Sequence, residues 1–379
     1  MPDDRPRAPI EHRRVIVKVG TNLLTGGGDA LDVDVMSNVV RQVAAVRQRG
    51  SEVIVVTSGA IAAGRQRLGD FEPHRDVPSR QVLAAVGQSR LMAAWDKLFE
   101  LHGLSCAQTL ITRRDLADRP GYLNARNTLL ALLALGVVPV VNENDVVSME
   151  EIQASAIGDN DNLSAQVANL VDADLLLMLT TIDGLYTADP SRDPNARMIE
   201  RVERIDAAIE RAARGAPGER GTGGMVTKVE AARIATQSGT HVVIADGRAE
   251  DVILRAAAGE TVGTHFLPTG DRTESRRRYL LSGLPVRGHL VIDDGAARAL
   301  EQDGKSLLPA GIVEVDGDFQ RGDVVRILSA QRQHLANGMS NYGATDVARI
   351  RGLHSDRIAG VLGYEYGDEV VHRSNMVLV

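Results

Sequence analysis

Six short apolar runs punctuate the first two-thirds of the chain: Val15–Val19, Val53–Val56, Cys106–Ile111, Val137–Val141, Leu175–Leu179 and His241–Ile244. Continuous apolar runs this short suit strands covered on both faces, and Cys106–Ile111 is the weakest of them. Stretches of helical periodicity lie between them, at Val33–Arg49, Ser79–His102, Ala125–Leu135, Leu163–Leu170 and Thr227–Ser238. Strands that alternate with helices pair in parallel, because each crossover lays a helix on the sheet. An α/β fold is therefore expected.

The strand ends carry the chemistry. The runs finish in Gly20-Thr21-Asn22, Thr57-Ser58-Gly59-Ala60, Asn142-Glu143-Asn144-Asp145, Thr180-Thr181-Ile182-Asp183-Gly184 and Ala245-Asp246-Gly247. Ligands of open α/β sheets sit beyond the carboxyl ends of the strands. Turns favour the same residue types, so the pattern has weight only because it recurs. Gly158-Asp-Asn-Asp-Asn162 precedes the helical pattern at Leu163 and delivers amides and carboxylates to a helix start, which suits an anion or an ammonium. The plainer alternative is a capped, solvated turn. Gly221-Thr-Gly-Gly-Met-Val-Thr-Lys228 offers glycines for close approach to an anion, two hydroxyls and a charge. It lacks the Gly-Lys-Ser/Thr of a Walker A loop, and its alternative is a flexible linker. Lys18 lies inside the first apolar run, where a lysine must meet an anion or stand on a sheet edge in solvent. Lys18 and Lys228 could together flank a transferring phosphoryl group.

Composition narrows the field. The formal net charge is −7, which argues against a general nucleic-acid binder. Cys106 is the single cysteine, so no intrachain disulfide can form, and it reads as a small buried hydrophobe. Residues 1–14 are polar and lack the apolar core of a signal peptide, and Leu129–Val141 is too short to span a bilayer. A cytoplasmic location is expected. No histidine pair shows zinc-ligand spacing, and Ser58 lies in no GxSxG elbow. Leu267–Ser275 reads as a boundary, placing domains at 14–266 and 277–379. Beyond it, Gly288–Ile292, Gly311–Val315, Val324–Leu328, Val347–Ile350 and Glu369–Val371 are short apolar pieces separated by turns, which predicts a small, mostly β barrel.

Taken together these residues resemble the amino-acid kinase family, in its glutamate-phosphorylating branch with an appended PUA domain. The resemblance runs from about Arg14 onward. It rests on KVGTNLLT (18–25), VIVVTSGAIAAGR (53–65), AAVGQSRLM (84–92), VPVVNEND (138–145), GDNDNLSA (158–165), DGLYTADP (183–190) and GTGGMVTK (221–228). It implies a three-layer αβα sandwich around a mainly parallel sheet, followed by a PUA-like barrel. It implies ATP-dependent phosphorylation of the γ-carboxylate of L-glutamate to L-glutamyl 5-phosphate, the first step towards proline, with Mg²⁺. Position by position, Lys18 and Lys228 resemble the lysines that stabilise the transferring phosphate, and Asp161 the aspartate that organises them. Ser58, Asp145 and Asn160 match glutamate-binding positions. Lys18, Thr180, Thr181, Thr222, Gly223, Gly224, Met225, Val226, Thr227 and Lys228 match ATP-binding positions. No residue is implied as a metal ligand.

The resemblance further implies a homo-oligomer and feedback inhibition by proline. Thr181 stands where many relatives carry Asp, and Ile152–Ile157 is longer than expected, so nucleotide contact and the glutamate pocket are where this chain should differ. Two alternatives stay open. One is another kinase of the family, acting on acetylglutamate, aspartate or a carbamate. The other is RNA binding through the PUA-like part, although 12 Lys/Arg against 13 Asp/Glu from Arg277 onward give no basic excess.

Overall fold

The computed structural model describes residues 12–69, 77–148, 160–190, 192–215, 224–270 and 285–379. The chain divides into two compact units, Met1–Leu116 with Ala125–Asp271, and Ala117–Asn124 with Arg272–Val379.

The first unit is built on a sheet of β1 (Arg14–Val19), β2 (Glu52–Thr57), β3 (Cys106–Ile111), β4 (Val138–Glu143), β5 (Leu175–Thr180), β6 (Arg201–Val202), β7 (His241–Asp246) and β8 (Thr264–Phe266). Their order is β3-β4-β2-β1-β5-β7-β8-β6. All pairs are parallel except β7 with β8. Strand β1 is central, with Val17 opposite Val55 on one side and Leu177 on the other. Alternate side chains of a strand face opposite layers. Val15, Val17 and Val19 enter the core formed with helices Val33–Gln48, Val77–Glu100 and Val252–Ala257. Helix Asp161–Leu170 packs on β1 and β5, helix Met225–Gln237 packs on it and on β7, and Lys18 reaches Asp161 there. Helix Val33–Gln48 starts where Asp32 accepts from the amides of Asp34 and Val35, at 3.0 and 3.1 Å. The α/β expectation holds.

The second unit carries a five-stranded sheet of β9 (Gly288–Ile292), β10 (Ile312–Gly317), β11 (Val324–Leu328), β12 (His334–Met339) and β13 (Met376–Leu378), ordered β10-β9-β11-β12-β13. Neighbours are antiparallel except β9 with β11. Two pieces expected as strands differ. Val347–Ile350 is the end of a helix, Ala344–Ile350, and Val371 makes only an isolated bridge to Leu307. A four-residue piece, three of its residues apolar, fits one turn of helix as well as a strand, so periodicity alone does not decide. Cys106 also differs: it is half-buried, and burial together with Asp96 pushes its thiol up to about 12.

Candidate active site

The carboxyl ends of β1, β2, β4 and β5 lie on one edge of the sheet because these strands run parallel. The side chains with the most charge in the least water meet just above that edge. Lys18, Asp161 and Lys228 are 2%, 0% and 5% exposed. Asp161 Oδ1 pairs with Lys18 Nζ at 2.5 Å, and Asp161 Oδ2 pairs with Lys228 Nζ at 3.3 Å. Thr227 Oγ1 lies 2.9 Å from both Asp161 Oδ2 and the Gly224 carbonyl, so its single hydrogen serves one at a time. The edge-strand alternative for Lys18 fails because β1 is interior. Among the described residues, the Asp161 carboxylate holds both ammonium groups together in this buried cluster.

Local sequence explains the convergence. The β1 pleat turns Lys18 to the face that helix Asp161–Leu170 covers. Gly20 lies beside it, where a Cβ would be in ordinary contact with Lys18 Nζ at 3.5 Å. Asp161 is the first residue of its helix, where the dipole favours a carboxylate. Lys228 lies in the first turn of Met225–Gln237, which Gly224 caps with extended backbone. Met225 is buried and Val226 exposed on that turn. Thr222 and Gly223 lie outside the described residues, as do Gly158, Asp159 and the segment Ile152–Ile157.

The amide and hydroxyl residues gather at the ends of β2 and β4. Asn160 is the N-cap residue of the helix, but its side chain makes no capping hydrogen bond. Its Nδ2 instead donates to the Thr57 carbonyl and, at 2.7 Å, to Asn142 Oδ1. Ser58 is buried, donates its amide to Val19 O at 3.2 Å, and leads through Gly59 (φ 101°) into helix Ala60–Leu68. Asp145 lies two residues beyond β4 and is half-buried. Burial pushes its carboxyl up to about 6, with the Glu143 carboxylate adding to the rise and Arg80 opposing it. Glu143 is buried, accepts from Ser148 Oγ at 2.6 Å, and keeps a second carboxylate oxygen buried without a hydrogen bond.

Thr180 ends β5, with its carbonyl accepting from Gly247 N at 2.9 Å. The Thr181 carbonyl accepts from Arg248 Nη2 at 2.6 Å, and Arg248 is clamped to Asp246 at 2.8–3.2 Å. Thr181 and Arg248 line a cavity of about 440 Å³ with Asn22, Leu23, Gly26, Gly27 and Val35. Sequence reasoning did not single out Gln88, Asn142, Glu143 or Arg248. Asn142 and Glu143 stood in a polar strand tip, and Arg248 directly follows another, so position was a signal for these three. Gln88 gave none beyond the motif around it.

The model of the amino acid kinase family matches residues 13–246, and that of the PUA domain matches residues 288–362. A protein named glutamate 5-kinase from Dehalococcoides mccartyi (strain ATCC BAA-2266 / KCTC 15142 / 195) is 53% identical, covering 97% of this chain and 99% of its own length. Proteins of the same name from Shewanella halifaxensis and Herpetosiphon aurantiacus are 49% and 48% identical, covering 98% and 97% of this chain and 99% and 98% of theirs. Among solved structures, a UMP kinase from Bacillus anthracis aligns with a TM-score of 0.46 at 15% identity, covering 68% of this chain and 97% of that one. With a family model over more than half its length and full-length relatives near 50% identity, this chain belongs to the amino acid kinase family and carries a PUA domain.

Proposed function

We propose that this chain transfers the γ-phosphoryl group of ATP to the γ-carboxylate of L-glutamate, giving L-glutamyl 5-phosphate and ADP, the first step towards proline. The buried Lys18–Asp161–Lys228 cluster carries the reading. A substrate carboxylate is ionised at neutral pH, so no general base is needed. One of its oxygens attacks the γ-phosphorus in line, the bond to the β-phosphate oxygen breaks, and its electron pair leaves with ADP. Catalysis then rests on positioning and on neutralising charge around the transferring group. Lys18 and Lys228 supply that charge. Each ammonium has three donors, so a bond to Asp161 does not exhaust it. Asp161 sets the spacing between the two lysines.

Ser58, Asp145 and Asn160 bind glutamate in this reading. Thr180, Thr181 and residues 222–228 bind the nucleotide. Arg248 fixes the Thr181 carbonyl and brings a cation to a tip without its family carboxylate. Mg²⁺ neutralises phosphate charge when it is bound. The Asp161 oxygens already face Lys18, Lys228 and Thr227, and no group of three or more His, Cys, Asp or Glu among the described residues could hold a metal. Mg²⁺ would come bound to the phosphates of ATP, as it commonly does.

Proline shares the ammonium and α-carboxylate of glutamate, so feedback inhibition acts on the Asp145 and Asn160 region. We expect a cytoplasmic homo-oligomer. No helix among the described residues is long and apolar enough to cross a membrane. RNA is not a partner in this reading. The residues from Arg277 onward give no basic excess, with 12 Lys/Arg against 13 Asp/Glu. The test is ATP consumption with glutamate, N-acetylglutamate and aspartate side by side, trapping the acyl phosphate as a hydroxamate. Glutamate alone should give the hydroxamate; turnover only with N-acetylglutamate refutes the reading.

A further inference from the structure

A second hydrogen-bonded chain runs beside the lysine cluster. Asn160 Nδ2 donates to the Thr57 carbonyl and to Asn142 Oδ1, and Asn142 Nδ2 donates at 2.8 Å to Gln88 Oε1. The polarity of this relay follows from one atom. A backbone carbonyl only accepts, so the Asn160 atom facing Thr57 is the amide nitrogen. The same nitrogen faces Asn142, whose facing atom must therefore be oxygen. Asn142 then presents nitrogen to Gln88, which must answer with oxygen. Amide orientations are ordinarily assigned rather than seen; here a single carbonyl sets all three. Trp95 steadies the far end, donating its Nε1 at 3.2 Å to Thr57 Oγ1.

The relay leaves two free ends. Both bonds of Asn160 use its nitrogen, so its Oδ1 is available as an acceptor directly before Asp161. Gln88 Nε2 is buried with no hydrogen-bond partner. We propose that Gln88 is a positioning residue for the amino-acid substrate: through Asn142 it holds Asn160 with its oxygen turned to the substrate ammonium. The proposal rests on the reading that glutamate is the substrate and that Asn160 binds it. Without Gln88, the Asn142 amide is free to turn. Its nitrogen would then oppose the Asn160 nitrogen, donor against donor, leaving the Thr57 carbonyl as the one relay partner that still holds Asn160, so its oxygen would be held less firmly towards the ammonium. A buried donor left unmatched is costly, so the relay should hold its direction strongly.

The experiment compares Q88L, Q88E, N142L and the Q88L/N142L double variant in the full chain. It measures KM for glutamate, KM for ATP, kcat and thermal unfolding. We expect Q88L to raise KM for glutamate about tenfold while KM for ATP and kcat stay within twofold. Q88E keeps an acceptor towards Asn142 and should recover most of the lost affinity. In the N142L background Q88L should add less than twofold, because residues acting through one another are not additive. A folded Q88L with wild-type KM for glutamate overturns the proposal. So do multiplicative effects in the double variant, or a Q88E as impaired as Q88L. Should Q88L not fold, Q88A replaces it in the same comparisons, with the same outcomes decisive. The wild-type control separates the two readings: no turnover of glutamate refutes the proposed function, whereas normal wild-type turnover with unaffected variants refutes only the relay.

Discussion

Lys228 is the residue whose loss should separate chemistry from binding. It reaches Asp161 from the first turn of helix Met225–Gln237, and in the proposed reading it meets the phosphoryl group. Lys228→Ala should lower kcat about a hundredfold, on the order of 3 kcal/mol of transition-state stabilisation, and leave KM for glutamate within a few fold. Steady-state kinetics decide it, and an unchanged kcat with a raised glutamate KM would place Lys228 on the amino acid instead. Asp145 should act on binding through pH. Its carboxyl is pushed up to about 6, so between pH 5 and 7 it gains the charge that a substrate ammonium needs. The γ-carboxylate of glutamate is already ionised over that range, at a usual pKa of about 4.3. The kcat/KM for glutamate should therefore rise through about pH 6 and then level, and Asp145→Asn should abolish the inflection while weakening binding. Stability runs the other way. A carboxyl raised above its unfolded value favours the fold while protonated, and that contribution is lost as pH rises through about 6. Unliganded protein should melt slightly earlier at pH 7 than at pH 5, and glutamate should narrow the gap. Lys18 was legible in the sequence because a lysine inside an apolar run demands an anion, Lys228 because it closes a glycine-rich loop, and Asp161 through the family resemblance. Gln88 and Arg248 were not, because amides and arginines suit any helix face or turn, and only their partners reveal a role.

Helices Ala60–Leu68 and Val77–Glu100 cross through two glycines. A Cβ on Gly87 would lie 1.7 Å from the Ala60 carbonyl oxygen, and one on Gly64 would lie 2.0 Å from that of Leu83. Backbone here packs on backbone, and no rotamer relieves the clash. Gly87→Ala should force the helices apart and destabilise the protein by about 1–3 kcal/mol or more, as overpacking does. Gln88 follows Gly87 and Ser58 precedes the partner helix, so the same displacement should raise KM for glutamate. Urea unfolding and glutamate kinetics check the pair of effects; wild-type stability would mean that the helices yield without cost. The alternation of strand and helix was readable because both faces of β1, β2, β4 and β5 are apolar. Strand β8, three residues at Thr264–Phe266, carries too few side chains for any period to register. His334–Met339 hid for a different reason: Asn337 and Gly338 break its apolar pattern although the backbone pairs with β11 and β13.

The molecule as a whole poses the question of what the C-terminal unit does for the reaction. We propose that a chain ended at Ser275 folds and keeps its activity. Ser275 lies outside the described residues, between the family matches that end at 246 and begin at 288. Every candidate site residue, from Lys18 to Lys228, falls in the first unit, and so does the apolar core around β1, β2, β5 and helix Val33–Gln48. A core of that extent, in well over 200 residues, should sustain its own fold. The complication is Ala117–Asn124, which belongs to the second unit although helix Arg119–Ala134 continues into the first. Leu123 is fully buried there with Val324, Met339 and Val377, and Arg119 pairs with Asp323 at 3.1 Å. Truncation removes these partners and leaves Leu123 in water, which forfeits up to about 1.5–3 kcal/mol of burial and creates an apolar spot. Arg119–Asp323 is a partly exposed pair and contributes little by comparison. The truncated chain should therefore retain kcat within about threefold, less than 1 kcal/mol of barrier, while hydrogen exchange accelerates at 117–124 and solubility falls. Leu123→Ser in the truncated chain should restore solubility without changing kcat. A soluble, monodisperse truncated chain that is inactive at saturating ATP, Mg²⁺ and glutamate would show that the second unit contributes to catalysis itself.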